Sequence, residues 1–190
     1  MQTYSNNAGF FALLPKLFFM RIEDRYRLIL DYFIKNQPVA ETELSYGSPY
    51  ELAVAVVLSA QCTDKRVNII TPPFFERFPN ANELAGAEPA EVFELIRTCS
   101  YPNNKTRNLV AMAKVMTDQY GGGLPSEVSE LEKIPGIGRK TANVLASVLF
   151  QKPVIAVDTH VFRVAARLGL TTRAKNPLQT EQQLVRHIPE

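Results

Sequence analysis

The chain has 190 residues, of which 46% are hydrophobic and 21% are charged, as is typical of one compact domain or of two small ones that share a core. Its apolar runs, such as residues 52–58, are far shorter than the roughly 20 residues that a membrane span needs, which excludes an integral membrane protein. The two cysteines, Cys62 and Cys99, exclude a disulfide framework or an all-cysteine metal site built from this chain alone. We therefore expect a reduced, cytoplasmic setting.

The net charge of +2 is unevenly distributed along the chain. Residues 1–130 carry 12 Lys and Arg and 15 Asp and Glu, a net charge of −3. Residues 131–190 carry 9 Lys and Arg and 4 Asp and Glu, a net charge of +5. A basic segment attached to an acidic remainder favours a polyanionic partner. A chance asymmetry on a solvated surface gives the same numbers, so charge alone leaves both interpretations open.

The first 20 residues do not resemble a secretory signal. Their apolar run, residues 9–19, is interrupted by Pro15 and Lys16, and no basic residue precedes it, whereas a signal peptide begins with a basic region. We interpret residues 1–20 as an extension and Met20 as an alternative start.

Helical patterns dominate the rest of the chain. Apolar residues at helical spacing predict an amphipathic helix over residues 22–35. Ser48 and Glu51 form a capping box around Pro49, which predicts a buried helix over residues 49–60.

A second group of helices is predicted from start and stop signals. One helix follows Thr63 and is expected to end at Pro72 and Pro73, because proline breaks a helix interior. The others are predicted over residues 89–98, over residues 104–120 before three glycines, and from Asn176-Pro177 to about His187. No segment alternates at period two, so we predict an all-α fold.

Residues 131–143, LEKIPGIGRKTAN, predict a helical hairpin. Pro135 breaks the preceding helical turn, Gly136 and Gly138 allow a tight turn with positive φ, and a second helix begins near Arg139. Such a turn points backbone N–H groups outward at a helix N-terminus, where anions bind. An ordinary turn between helices carries the same Pro-Gly-x-Gly, so this motif alone does not distinguish an anion site from an ordinary turn.

Two nucleotide-binding loops are excluded by their context. A Walker loop requires Gly immediately before Lys-Thr, but Arg139 separates Gly138 from Lys140. A dinucleotide fingerprint requires a third Gly where Thr141 stands. Both also require a preceding strand, and a polar helical segment precedes this loop.

Three other segments accompany the hairpin: residues 58–64 (LSAQCTD), 101–108 (YPNNKTRN) and 154–163 (VIAVDTHVFR). In their order and spacing, these segments and the hairpin resemble the endonuclease III family of DNA glycosylases. The resemblance covers roughly residues 20–190.

The resemblance implies a helix-hairpin-helix glycosylase fold with two helical subdomains and a cleft between them. One subdomain would combine residues 21–45 and 151–190, and the other would comprise residues 46–150 with the hairpin at 129–150.

In that family the hairpin binds a phosphate of duplex DNA, often with a monovalent cation, and such contacts position the protein without reading sequence. The DNA-binding residues that the resemblance assigns here are Pro135, Gly136, Ile137, Gly138, Arg139 and Thr141. The damaged base must leave the stack to be attacked. By resemblance, Gln61 fills the vacated space, and Tyr101 stands where relatives usually insert a Leu.

The resemblance assigns Lys140 as the nucleophile that attacks the sugar C1′ and forms a Schiff base. A lysine must first lose its proton. The positive end of a helix contributes only about 0.3–1 kcal/mol toward that loss. Desolvation, or proton removal by a nearby carboxylate, must supply most of the remaining free energy.

Asp158 precedes a helix that runs to Leu168 and ends at Gly169, which predicts an N-cap. The family implies a second role, in which this carboxylate stabilises positive charge on the sugar and helps to activate Lys140. The two roles are compatible. His160 is interpreted as a residue of the helix terminus rather than a catalyst.

The implied activity is a bifunctional DNA glycosylase that removes oxidised pyrimidines and nicks the strand by β-elimination. The adenine glycosylase branch lacks the nucleophilic lysine and carries an acid before Gln61, whereas residues 53–58 here hold no acid. A non-catalytic DNA-binding module and an adenine-mismatch relative remain the alternatives. The expected partner is damaged duplex DNA, bound by a monomer in the cytoplasm of a bacterium, near the nucleoid.

Family members usually continue with four cysteines that hold an iron–sulfur cluster, and these four are absent here. We therefore expect no cofactor on this chain, and we interpret Cys62 and Cys99 as small buried apolar residues. We also expect a fragment with impaired stability and DNA binding.

Overall fold

The computed structural model describes residues 19–37 and 41–188, and within them all regular structure is helical, which confirms the all-α prediction. The extension predicted at residues 1–20 therefore lies almost entirely outside the described residues. The helices of the described part are α1 (Ile22–Asn36), α2 (Pro49–Ser59), α3 (Asp64–Arg77), α4 (Ala81–Ala85), α5 (Pro89–Ile96), α6 (Pro102–Tyr120), α7 (Val128–Leu131), α8 (Arg139–Phe150), α9 (Thr159–Arg167) and α10 (Pro177–Leu184).

Side-chain caps begin several helices where the sequence predicts them. The Ser48 hydroxyl accepts a hydrogen bond from the N–H of Glu51 at 3.2 Å, with Pro49 in the first helical position. Thr63 and Asn176 accept in the same way from the N–H three residues on. Each cap satisfies one of the donors that a helix start leaves unpaired.

The prediction that Pro72 and Pro73 end a helix is wrong, because α3 continues through both to Arg77. Neither proline can donate to the carbonyl four residues earlier, which weakens the helix there. Both prolines are exposed, while Ile70 and Phe74 on either side are buried. Burial of the flanking apolar side chains outweighs the two missing hydrogen bonds.

The chain divides into two compact units, which we call the continuous unit (residues 41–154) and the split unit (residues 1–40 and 155–190). In the continuous unit, α2 is the central helix, and residues 52–58 are all buried. It packs against α3, α6 and α8. A helix that is apolar on all sides is stable only when its neighbours cover it on all sides.

The split unit has its own core, built by α1, α9 and α10 around Tyr26, Ile29, Leu168 and Leu184. The Tyr26 hydroxyl donates to the Leu170 carbonyl at 2.7 Å, and burial raises its pKa to about 12. No helix in the described part of the chain is long and apolar enough to cross a membrane.

Candidate nucleic-acid interface

The hairpin between α7 and α8 is anchored by two buried isoleucines. Ile134 and Ile137 are 1% and 3% exposed, and the Ile137 N–H donates to the Ile134 carbonyl at 3.0 Å. The Gly138 carbonyl accepts the first hydrogen bond of α8, from the N–H of Ala142 at 2.8 Å. The turn is therefore held from the inside by apolar packing and closed by backbone hydrogen bonds.

The two glycines of the turn have different conformations. Gly136 has φ +84°, as predicted, but the prediction of positive φ is wrong for Gly138, which is extended at φ −89° and ψ 177°. A Cβ on Gly136 would lie 3.0 Å from Cβ of Asn108 on α6, whereas a Cβ on Gly138 would meet nothing within 4 Å. Gly136 is thus required by the fold, and Gly138 leaves an open surface.

The outward-facing donors of the turn are fewer than the sequence suggests. The Ile137 N–H is used inside the hairpin, and the Ile137 side chain is buried. Within the described residues, the N–H groups of Gly136 and Gly138 donate to no protein acceptor. These two amides stand beside the N-terminus of a 12-residue helix, where an anion is stabilised by the helix dipole.

Lys140 is the second residue of α8 and is exposed, between the exposed Arg139 and the half-buried Thr141. The Arg139 guanidinium donates to the Glu132 carboxylate at 3.0 Å. Pro135 is half-buried at the start of the turn. Apart from the buried Ile137, the predicted hairpin residues are therefore exposed or half-buried on one short segment of the continuous unit.

Other cations near the hairpin also lie in ion pairs with acidic residues on or beside α7. Lys152 pairs with Glu127 at 2.7 Å. Lys133 pairs with Glu130 at 2.6 Å, and this hydrogen bond raises the pKa of Lys133 and lowers that of Glu130. The basic charge expected at the hairpin is thus partly neutralised by neighbouring carboxylates.

Gln61 and Tyr101 are both exposed and both adopt the left-handed backbone conformation, with φ +55° and φ +54°. The loops that carry them meet, because the Ser100 hydroxyl donates to the Gln61 carbonyl at 2.6 Å. A residue other than glycine adopts this backbone conformation mainly where its surroundings impose it. The structure thus brings together two predicted DNA-contact residues that are 40 positions apart in the sequence.

Lys105 lies beneath these loops and was missed by the sequence analysis. It is 5% exposed, and its Nζ donates to the carbonyls of Leu58 and Ala60, each at 2.7 Å, and to Sγ of Cys99 at 3.1 Å. The signal available in the sequence was the position of this lysine near the start of α6, where the helix dipole disfavours a positive charge.

Neither cysteine forms part of a metal site in the described residues, which contain no group of three or more potential His, Cys, Asp or Glu ligands. Cys99 is buried and Cys62 is half-buried. Burial raises the pKa of the Cys99 thiol, which donates to the Leu58 carbonyl at 3.3 Å. Cys99 is therefore buried as predicted, whereas the prediction of burial is wrong for Cys62. Cys99 is also a hydrogen-bonding partner of Lys105.

Asp158 lies in the split unit and caps α9, as predicted. One carboxylate oxygen accepts hydrogen bonds from the N–H groups of His160 at 2.8 Å and Val161 at 2.9 Å. The His160 side chain is 78% exposed beside this cap. Lys140 and Asp158, the two predicted catalytic residues, thus belong to different units of the chain.

The sequence model of the HhH-GPD superfamily, base excision DNA repair proteins, matches residues 54–190. Endonuclease III of Bacillus subtilis is 42% identical over 153 residues, which are 80% of this chain and 70% of the relative. The chain belongs to the endonuclease III family.

Other relatives agree with this assignment. Endonuclease III of Escherichia coli is 39% identical, over 85% of this chain and 76% of the relative. The structure of a trapped endonuclease III–DNA covalent intermediate matches with a TM-score of 0.84 at 42% identity, over 90% of this chain and 80% of that one. A thermostable thymine-DNA glycosylase, with a TM-score of 0.67 at 17% identity, supports the fold alone.

Proposed function

We propose that this protein removes oxidised pyrimidines from duplex DNA and then cleaves the strand at the resulting abasic site, with Lys140 as the nucleophile. Membership of the endonuclease III family makes it a base excision repair enzyme, a DNA glycosylase with lyase activity. The observation that carries the proposal is the match to an endonuclease III trapped in a covalent intermediate with DNA. The lesion class and the residue roles are our inference.

The hairpin is proposed to hold a phosphate of the damaged strand. The N–H groups of Gly136 and Gly138 donate to no acceptor among the described residues, and the N-terminus of α8 would add its dipole. Arg139, Thr141 and the backbone from Pro135 to Ile137 would border the bound phosphate. Contacts of this kind position the duplex without reading its sequence.

Gln61 and Tyr101 are proposed to enter the duplex where the damaged base leaves it. Both are exposed, and both are held in a left-handed conformation in segments joined by the Ser100–Gln61 hydrogen bond. A flipped base leaves an unstacked gap and an unpaired opposite base. An amide in the gap and an aromatic ring against the opposite strand would stabilise that state.

The proposed chemistry begins at Nζ of Lys140. The neutral amine forms a bond to the sugar C1′ as the C1′–N bond to the base breaks, and the base leaves with that electron pair and takes up the proton that Nζ then releases. The C1′–O4′ bond breaks next, O4′ takes up a proton from water, and the lone pair of Nζ forms the C1′=N bond of the Schiff base. Loss of a proton from C2′ then expels the 3′ phosphate, so the strand is nicked by β-elimination.

Asp158 is the proposed electrostatic partner of this chemistry. Its two backbone hydrogen bonds fix the carboxylate at the start of α9. A fixed negative charge stabilises the cationic sugar without reorganisation during the reaction. The same carboxylate would accept the proton that the nucleophilic lysine loses.

The iron–sulfur cluster that the family resemblance implies does not fit the residues of this chain. Four thiolates are required, and the chain has two cysteines, both in the continuous unit. No step of the proposed reaction involves a cluster.

Borohydride trapping tests the proposed chemistry. A duplex oligonucleotide with one thymine glycol is incubated with the protein and sodium borohydride, and covalent complexes are separated by denaturing electrophoresis. We expect a complex with the wild type, because borohydride reduces the Schiff base to a stable amine. Lys140→Ala should give none.

The matched control is Lys114→Ala, which removes an exposed lysine of α6 and should trap as the wild type does. Trapping that persists in Lys140→Ala would refute the assigned nucleophile. Binding of the duplex with no trapping in the wild type would instead favour a non-catalytic DNA-binding module. Duplexes with other oxidised pyrimidines or a mismatched adenine define the lesion range.

We further propose that the protein acts as a monomer on the DNA of a bacterial cell, since the curated relatives compared here are bacterial. Sedimentation of the free protein and of its DNA complex measures the stoichiometry. One protein per duplex is the expected result.

A further inference from the structure

We propose that Lys105 is a positioning residue that holds the Gln61 and Tyr101 loops in the conformation needed to enter DNA. This inference rests on the proposed function of those two side chains. It assigns a role to a buried cation that the chemistry itself does not use.

The hydrogen bonds of Lys105 explain how a lysine is accommodated in this interior. An ammonium has three donors, and here the three acceptors are the carbonyls of Leu58 and Ala60 and the sulfur of Cys99. Leu58 and Ala60 lie at the C-terminal end of α2, where carbonyls lack helical partners and the dipole is negative. The last turn of α2 holds no basic residue of its own.

Lys105 thus acts as a C-terminal cap supplied by another helix. The Ala60 carbonyl belongs to the peptide that joins Ala60 to Gln61, so the hydrogen bond from Nζ fixes the orientation of that peptide. Gln61 has φ +55° immediately afterwards. The strained residue is therefore held on one side by Lys105 and on the other by the Ser100 hydroxyl, which donates to its carbonyl.

The second loop is tied to the same cation. Cys99 accepts from Lys105 and donates to the Leu58 carbonyl, and it precedes Ser100 and the left-handed Tyr101. Lys105 itself lies four residues after Tyr101, and its N–H donates to the Tyr101 carbonyl at 3.1 Å. One buried side chain therefore joins α2, the Gln61 loop and the Tyr101 loop.

The test separates positioning from general stability by comparing two DNA substrates. Excision of thymine glycol requires the base to leave the stack, whereas cleavage at a preformed abasic site does not. In Lys105→Met, we expect the single-turnover excision rate to fall about tenfold, because two buried carbonyls lose their donor. Abasic-site cleavage should stay within about twofold. Equal loss on both substrates would show a merely structural role and overturn the proposal.

Three further variants keep the test decisive. Lys114→Met, an exposed lysine on the same helix, should behave as the wild type. If Lys105 acts through Gln61 and Tyr101, adding Lys105→Met to the Gln61→Ala/Tyr101→Ala double variant should lower the excision rate no further. Additive losses contradict the proposal. If Lys105→Met does not fold, Lys105→Gln, whose shorter amide has only two donors, replaces it, and the same split between substrates is expected.

A binding measurement distinguishes failure of this inference from failure of the proposed chemistry. A duplex with a tetrahydrofuran abasic analogue opposite 2-aminopurine becomes more fluorescent when an inserted side chain unstacks the opposite base. We expect a rise with the wild type and a smaller rise with Lys105→Met at saturating protein. Equal rises contradict the role of Lys105, even if the wild type forms no Schiff base.

Discussion

Asp158 combines a structural and a proposed catalytic role in one carboxylate. Its two hydrogen bonds to backbone N–H groups cap α9, and asparagine caps a helix about as well as aspartate. We therefore expect Asp158→Asn to change the free energy of unfolding by less than about 1 kcal/mol. Its single-turnover excision rate should fall by about a hundredfold, because the charge is lost.

Asp158→Ala is the comparison variant for this prediction. It removes the cap as well as the charge, so urea unfolding should show a further loss of about 1 kcal/mol. An Asp158→Asn variant with wild-type excision would leave the carboxylate with its structural role only.

The two glycines of the hairpin give a matched pair of substitutions. Gly136→Ala places a side chain in the left-handed region and 3.0 Å from Asn108, so we expect the free energy of unfolding to fall by about 1–2 kcal/mol or more. Gly138→Ala is free of both problems and should leave stability unchanged. Its methyl group would stand on the proposed phosphate site and should weaken duplex binding.

Urea unfolding and fluorescence anisotropy with a labelled duplex check the glycine prediction. The result that contradicts it is a stable Gly138→Ala protein with full DNA affinity, which would place the phosphate elsewhere. Loss of DNA binding in Gly136→Ala alone decides nothing about the phosphate, since the fold of the turn changes too.

At the scale of the helix, α3 shows that local propensity can be overruled. Pro72 and Pro73 each remove a backbone donor, and an isolated peptide with this sequence is expected to break there. In the protein, Val67, Ile70 and Phe74 are buried on one side of the helix. Their packing against the core keeps the chain helical to Arg77.

The ion pairs between α7 and α8 affect the electrostatics of the hairpin. Glu132 pairs with Arg139, which lies beside the proposed phosphate site. Exposed pairs of this kind contribute only about 0–1 kcal/mol to stability. Glu132→Gln should therefore fold normally and bind undamaged duplex a few times more tightly at low salt, because one negative charge beside Arg139 is removed.

Anisotropy titrations at several salt concentrations measure the effect of Glu132. The affinity gain should shrink as the salt concentration rises. Glu94→Gln provides a control, since Glu94 pairs with Arg97 on α5. A Glu132 variant with unchanged affinity at every salt concentration would mean that Arg139 is not near the bound DNA.

At the scale of the whole molecule, the split unit is closed by contacts between distant parts of the chain. The Tyr26 hydroxyl donates to the Leu170 carbonyl, 144 residues away, and its ring stacks on His187. Burial raises the pKa of Tyr26 to about 12, from the ordinary value near 10. The stabilisation from the neutral hydroxyl is therefore complete below pH 10 and is lost as the pH rises toward 12.

We expect Tyr26→Phe to be less stable than the wild type by about 1 kcal/mol at pH 8, because the Leu170 carbonyl loses its donor. The difference should narrow as the pH rises from 10 to 12, because only the wild type carries the ionisable hydroxyl. Urea unfolding at several pH values measures it. A difference that does not depend on pH contradicts the assigned pKa.

The sequence by itself determined the helices that start at caps, the existence of the hairpin and the N-cap at Asp158. These features depend on contacts between residues within about five positions, which any compact fold of this chain preserves. The family resemblance, confirmed by the comparisons, also came from contiguous motifs.

Only the tertiary structure decided the features that depend on distant neighbours. The continuation of α3 through two prolines depends on core packing. The inward hydrogen bond of Ile137 and the extended Gly138 follow from how the hairpin is anchored. Two of the acceptors of Lys105 lie 45 and 47 residues away in the sequence. A buried charge is stable only where such acceptors converge, and their convergence is a property of the folded chain.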